Sequence, residues 1–160
     1  MKPSPSVSVS AIHQGWGSVV PFASPNQRFL VSEPRWAGYD AVLQKLEGLI
    51  QLPVGWNGYN AGPVSLAAAY FALEMLKTVC TSATISPQIV PGPNGDLQVE
   101  WHTTRGSMEL HVRAPNNVHA WRETATGEET EAELTTDFTL VAHWIKEFSE
   151  LSGAVDSAVA

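Results

Sequence analysis

Two stretches in the first half of the chain carry apolar residues at the three- and four-residue spacing of a helix. The first apolar face consists of Tyr39, Val42, Leu43, Leu46, Leu49 and Ile50. The second consists of Leu66, Ala69, Tyr70, Leu73, Leu76 and Cys80. Pro53 must follow the end of the first helix, because a residue before proline is pushed out of helical geometry. The spacings predict two amphipathic helices, the second starting at Pro63 and Ser65.

From Pro87 onward the apolar period changes to two, which is typical of strands. Ile89 and Val90 predict a short strand, and Asn94-Gly95 predicts a hairpin turn. Two alternating strands follow, with Leu97, Val99, Trp101, Met108, Leu110 and Val112 on one face and Gln98, Glu100, His102, Glu109, His111 and Arg113 on the other. A further strand is predicted from Val118 to about Glu123, and then an acidic loop to Glu133.

A last helix is predicted after Thr136 and Asp137, which supply an N-terminal cap. Its apolar face contains Phe138, Val141, Ile145 and Phe148, and Gly153 ends it. The expected fold is α+β, with two N-terminal helices, a three- to four-stranded antiparallel meander and a C-terminal helix on one sheet face. Residues 1–34, rich in Ser and Pro, are expected to form a disordered or loosely packed arm, residues 35–152 one domain, and residues 153–160 a frayed tail.

Composition limits the classes of function. The 160-residue chain has a formal charge of −7, which disfavours binding to nucleic-acid phosphates. No apolar run reaches membrane-spanning length, and no export or lipidation signal is visible, so a cytoplasmic protein without membrane contact is expected. Cys80 is the single cysteine and is expected to be buried and inert. Phosphate-binding glycine loops, nucleophile elbows and paired-cysteine motifs are absent from the sequence, so no catalytic residue and no cofactor are predicted.

The polar face of the second predicted hairpin holds the one group of residues that resembles a site. If Arg105-Gly106 is a two-residue turn, His102 lies opposite Glu109 and Glu100 lies opposite His111. Two imidazoles and two carboxylates could ligate zinc or another divalent ion. The alternative is a pair of attractive cross-strand contacts on an exposed sheet face.

The next turn leaves the directions of His119 and Trp121 open. With two loop residues, Asn116 and Asn117, Trp121 faces Val112 in the core, and with three it faces the open side of the sheet. We favour Trp121 in the core, because this arrangement buries a large aromatic ring and leaves Arg122 in solvent. His119 then points inward as a structural histidine.

Residues 52–63 form a loop with an unusual density of aromatic residues, glycines and asparagines. One interpretation is a packed turn, in which Trp56 fills space between the first helix and the sheet. The other is a recognition loop, with Trp56 and Tyr59 as contact residues and with Asn57 and Asn60 as hydrogen-bonding groups.

The run Leu52-Pro53-Val54-Gly55-Trp56-Asn57-Gly58, followed by an alanine-rich helix and by Pro93-Asn94-Gly95-Asp96-Leu97-Gln98-Val99-Glu100-Trp101, resembles small uncharacterised bacterial proteins. The resemblance spans roughly residues 43–112. It implies an α+β fold and a bacterial or phage accessory protein, and it transfers no catalytic residue.

The favoured hypothesis is a non-enzymatic accessory factor, antitoxin-like or immunity-like, that acts by contact with a protein partner, for which a basic partner would match the acidic charge. The alternative is a metal-dependent hydrolase that uses Glu100, His102, Glu109 and His111 with a metal-bound water as the nucleophile. A structural subunit of a larger assembly is a third possibility.

Overall fold

The structure of the chain is a computed structural model that describes residues 36–150. It has three helices, α1 (Tyr39–Ile50), α2 (Leu66–Val79) and α3 (Thr139–Glu150). Five strands lie between α2 and α3: β1 (Gln88–Pro91), β2 (Leu97–Thr103), β3 (Gly106–Ala114), β4 (Asn117–Thr124) and β5 (Glu129–Leu134). The predicted arm and tail lie outside the described residues, and the α+β class is confirmed.

The strands form one antiparallel sheet in the order β1-β2-β3-β4-β5. The expectation of three to four strands is therefore wrong in detail, because residues 129–134, assigned to an acidic loop, form β5. Glutamates alternate there with Thr130, Ala132 and Leu134, so the period of two was present but was hidden by the charge. A tight turn at Gly127, with φ of 80°, brings β5 back beside β4.

Helix α2 lies at the centre of the helical layer. Ser65 caps its N-terminus, since the Ser65 hydroxyl accepts a hydrogen bond of 3.1 Å from the backbone N–H of Ala68. Ala68, Ala69 and Ala72 are fully buried, and α2 contacts α1, α3 and the middle strand β3. Small side chains on this helix let its backbone approach its neighbours closely.

One face of the sheet is buried beneath the helices. Its innermost side chains are Val99, Trp101, Met108, Leu110, Val112, Val118 and Ala120. The predicted assignment of faces in β2 and β3 is therefore confirmed. Trp101 is only 3% exposed, and its indole N–H donates a 2.8 Å hydrogen bond to the carbonyl of Ile85.

The register between β2 and β3 differs from the predicted register by two residues. Thr103 lies opposite Gly106, so the two-residue turn is Thr104-Arg105 and not Arg105-Gly106. Gly106 is the first residue of β3, and only glycine fits there, because a Cβ atom would lie 2.0 Å from the carbonyl oxygen of Glu123. A shift of two residues keeps each side chain on its predicted face but changes its partner across the strands.

The predicted placement of Trp121 in the core is wrong. The strand pairing between β3 and β4 shifts between Val112 and Ala114, and Trp121 lies opposite Glu109 on the outward face, while Ala120 is fully buried. Arg122 consequently points inward, where its guanidinium pairs with Glu147 of α3 at 2.5 Å. This pairing offsets part of the cost of burying the arginine, whose Nε atom is buried without a hydrogen-bond partner among the described residues, and the carboxylate is 25 residues away in sequence.

Replacing Trp101 by alanine should lower the free energy of unfolding by about 3 to 5 kcal/mol, through lost aromatic burial and the cavity left behind. Trp121→Ala is the matched control on the other face of the sheet and should cost about 1 kcal/mol or less. Urea unfolding of both variants measures the difference. Equal losses would show that the two faces of the sheet have been assigned wrongly.

Candidate functional site

The loop between α1 and α2, residues 52–63, is held in one conformation by its own backbone. The N–H of Gly55 donates to the carbonyl of Ala61 at 2.8 Å, and the N–H of Gly58 donates to the carbonyl of Gly55 at 2.9 Å. Gly55 and Gly58 have φ of 81° and 84°, a region that residues with a side chain rarely adopt. We call this segment the Trp56 loop.

Two side chains of the Trp56 loop serve its internal structure. The Asn57 side-chain oxygen accepts hydrogen bonds from the backbone N–H groups of Tyr59 at 3.0 Å and of Ala61 at 3.3 Å. Trp56 is half-buried, and its indole N–H donates to the carbonyl of Gly62 at 2.8 Å. Trp56 and Asn57, two of the four residues of the predicted binding set, therefore help to fix the loop.

The Trp56 loop exposes two large hydrophobic side chains. Tyr59 is 85% exposed and Val54 is 79% exposed, the two highest values among the exposed large hydrophobic side chains of residues 36–150. Asn60, the fourth residue of the predicted set, is also exposed. The loop thus combines a fixed backbone with projecting side chains, which is the arrangement expected of a recognition surface.

Two backbone hydrogen bonds attach the residues that directly follow the loop to their surroundings. The N–H of Val64 donates to the carbonyl of Leu49 in α1 at 3.1 Å. The N–H of Ser65 donates to the carbonyl of Gly95, in the turn between β1 and β2, at 2.9 Å. These bonds place the base of the loop next to that turn.

The second candidate region is the outward face of the sheet, and its two crossed His/Glu pairs do not form. With the observed register, Glu100 lies opposite Glu109, and His102 lies opposite Ser107. His102 contacts Glu100 of its own strand at 3.2 Å and the Ser107 hydroxyl at 3.1 Å. Glu100, His102, Glu109 and His111 share the face as predicted, but the predicted pairs are wrong because the turn lies one residue earlier.

His111 has a partner that sequence reasoning missed. Its Nε2 atom lies 2.5 Å from the carboxylate of Asp96, a residue that directly follows the Asn94-Gly95 turn and is 7% exposed. The other Asp96 oxygen accepts a 2.9 Å hydrogen bond from the N–H of Asn94. The sequence signal was an aspartate at the end of a hairpin turn, but only the register of β2 against β3 brings it to His111.

The electrostatics of Asp96 reflect two opposing effects. Burial raises the pKa of the Asp96 carboxyl, whereas the hydrogen bond with His111 and the bond from the Asn94 N–H lower it. The lowering effects dominate, so the pKa of Asp96 falls below its usual range. The carboxylate form is therefore favoured in the folded protein.

His119 points outward, which corrects the prediction that it faces the core. It lies opposite His111 in the register, and its Nε2 atom is 3.6 Å from the carboxylate of Glu131. The two histidines are thus neighbours, each beside a different acidic residue. Within residues 36–150, no three His, Cys, Asp or Glu side chains are grouped closely enough to hold a metal ion.

The remaining reactive groups lie apart from these surfaces. Burial raises the pKa of the Cys80 thiol to about 12, which leaves it protonated and inert near neutral pH. His143 is exposed on α3, 3.2 Å from Glu147. His13 lies outside the described residues.

Comparisons with family models, with curated proteins and with solved structures find no match for this chain. Across residues 36–150, no helix is long and apolar enough to cross a membrane. The candidate surfaces are therefore interpreted from their own residues alone.

Asp96 should make the stability of the protein depend on pH in acid. Because its folded-state pKa is lowered, it stabilises the fold above its ordinary pKa of about 4, and this contribution is lost as the pH falls through the lower folded-state value. At about pH 5, Asp96→Asn should have a lower free energy of unfolding than the wild type. The difference in this free energy should become smaller towards about pH 2.5. Urea unfolding across this pH range measures the free energy of unfolding of the wild type and of Asp96→Asn. The same measurement is made on His111→Gln, which removes the partner of Asp96. A gap that does not change with pH would contradict the assignment.

Cys80 should react slowly with iodoacetamide in the folded protein. An unfolded-chain cysteine titrates near about pH 8.5, so alkylation at about pH 7.5 should be at least about 100-fold slower in the folded state than in urea. Mass spectrometry of timed samples gives both rates. Equal rates would place the thiol in an accessible, ionised setting.

Proposed function

We propose that this protein is a non-enzymatic accessory factor that acts by binding a protein partner through the outer surface of the Trp56 loop. The observation that carries the proposal is the exposure of Tyr59 and Val54 on a backbone fixed by hydrogen bonds. The antitoxin-like or immunity-like role suggested by the sequence belongs to this class of protein. The proposed partner is a protein with an apolar recess that can receive a tyrosine ring.

The energetic support for this proposal is the low cost of ordering the loop. A flexible loop must lose conformational entropy when it binds, and each immobilised side chain costs about 0.5 to 1.5 kcal/mol. Here the hydrogen bonds that the Asn57 side-chain oxygen accepts, together with the bond from the Gly55 N–H to the Ala61 carbonyl, already hold the backbone. Tyrosine adds a large contact area with few rotatable bonds, and it is among the residues enriched at binding hot spots.

The hydrolase alternative receives less support. It needs a metal held by Glu100, His102, Glu109 and His111, but His111 is turned towards Asp96 and His102 towards Glu100. The described residues contain no metal-holding group, as noted above.

The test compares loop variants for stability and for binding. The partner is first isolated by co-purification with the full chain and identified, and its affinity is then measured by calorimetry. Tyr59→Ala should weaken binding by about 30-fold, equivalent to about 2 kcal/mol, while the unfolding temperature stays close to that of the wild type. Asn60→Ala tests the neighbouring exposed amide in the same way.

Two controls separate recognition from folding. Tyr70→Ala removes another exposed tyrosine, on α2 and outside the loop, and should leave the affinity unchanged. Asn57→Ala removes the acceptor that holds the loop and should lower stability as well as binding. Unchanged affinity of Tyr59→Ala together with a clearly lower unfolding temperature would show that the loop is only a structural element.

A further inference from the structure

The outward face of the sheet is not covered by any of the three helices, which pack on the opposite face. We call it the open face and define it by the outward side chains of β2 to β5. They are Gln98, Glu100, His102, Ser107, Glu109, His111, Arg113, His119, Trp121, Glu123, Glu129, Glu131 and Glu133. Trp121 is half-buried in its middle row, directly between Glu109 of β3 and Glu131 of β5.

The open face carries a large excess of negative charge. The open face has six glutamates and one arginine, Arg113, whose guanidinium is paired with Glu133 at 3.2 Å. Charges of this density on one side of a sheet create a field that attracts positive groups and repels anions. Nucleic acids and anionic membranes are therefore disfavoured as ligands, as is the same face of a second copy.

The arrangement of these glutamates opposes folding. Glu100 lies directly opposite Glu109, and Glu123 lies directly opposite Glu129. Like charges at directly opposed positions destabilise a sheet. Lysine or threonine at these positions would keep the face solvated without the repulsion between glutamates. Residues that destabilise the fold without a structural need are expected at functional surfaces.

Trp121 gives the open face an anchor for a cation. A lysine or arginine side chain over a tryptophan ring gains cation–π attraction, and tryptophan and arginine are the residues most enriched at interface hot spots. Carboxylates on both sides of the ring can accept hydrogen bonds from the same guanidinium. We infer that the open face is a docking surface for an arginine- and lysine-rich segment of a partner protein.

This inference does not depend on the Trp56 loop proposal, because the two surfaces share no residue. The test uses the full chain and a synthetic peptide of alternating arginine and threonine, with a glutamine-for-arginine peptide as the uncharged comparison. Binding is followed by fluorescence anisotropy of the labelled peptide at about 0.05 and 0.2 M salt. The arginine peptide should bind, the glutamine peptide should not, and the higher salt should weaken the affinity.

The matched variants test where the peptide binds. Glu109→Gln/Glu131→Gln removes the two carboxylates beside Trp121 and should weaken binding at least about 10-fold, equivalent to about 1.4 kcal/mol. Glu47→Gln/Glu74→Gln removes the same number of charges from α1 and α2 and should change the affinity less than about twofold. Trp121→Leu, with every charge retained, should weaken binding about fivefold.

Three results would overturn the inference. The first is an absence of binding at millimolar peptide. The second is an equal loss in the two double-glutamine variants, which would show that only the net charge matters. The third is a doubling of the wild-type mass in ultracentrifugation that disappears in Trp121→Leu, which would show that a second copy covers the face.

Discussion

The packing of α2 on the middle of the sheet is the contact on which the described fold depends. This helix contacts α1 on one side and α3 on the other, and it covers β3, the central strand. Its buried alanines Ala68, Ala69 and Ala72 allow the close approach that three neighbours require. Because the three helices of residues 36–150 pack on the same side of the sheet, its other face has no helix over it, and the open face follows from that arrangement.

The periodicity of apolar residues was sufficient for the helices, for the strands β2 to β4 and for the burial of Trp101, because these depend on local spacing. It was insufficient for the register. The turn lies at Thr104-Arg105, and Gly106 begins β3 at a point where β4 passes too close for any side chain, a long-range contact that the apolar period does not reveal. The inward direction of Arg122 likewise depends on Glu147, which belongs to a different element.

The candidate surfaces show the same limit. The high density of aromatic residues, glycines and asparagines identified the Trp56 loop from the sequence. The structure was needed to show that Asn57 fixes the loop through hydrogen bonds, whereas the Tyr59 side chain projects into solvent. The polar face of β2 and β3 was identified from alternation, whereas the contact between His111 and Asp96 required the true register. Local chemistry is readable from sequence, and pairing across strands is not.

The two edge strands of the sheet limit how a further strand could be added. The N–H of Gly92 donates to Asp96, so by the alternation of an antiparallel ladder Ile89 presents its backbone to the free edge of β1. The positions two residues away on either side are Pro87 and Pro91, which have no N–H to offer. At the other edge, β5 carries Glu129, Glu131 and Glu133, which would meet like charges in a β5–β5 pairing. Both edges thus resist addition of a further strand of this chain, and the two proposed binding surfaces, the Trp56 loop and the open face, consist of side chains and not of strand edges.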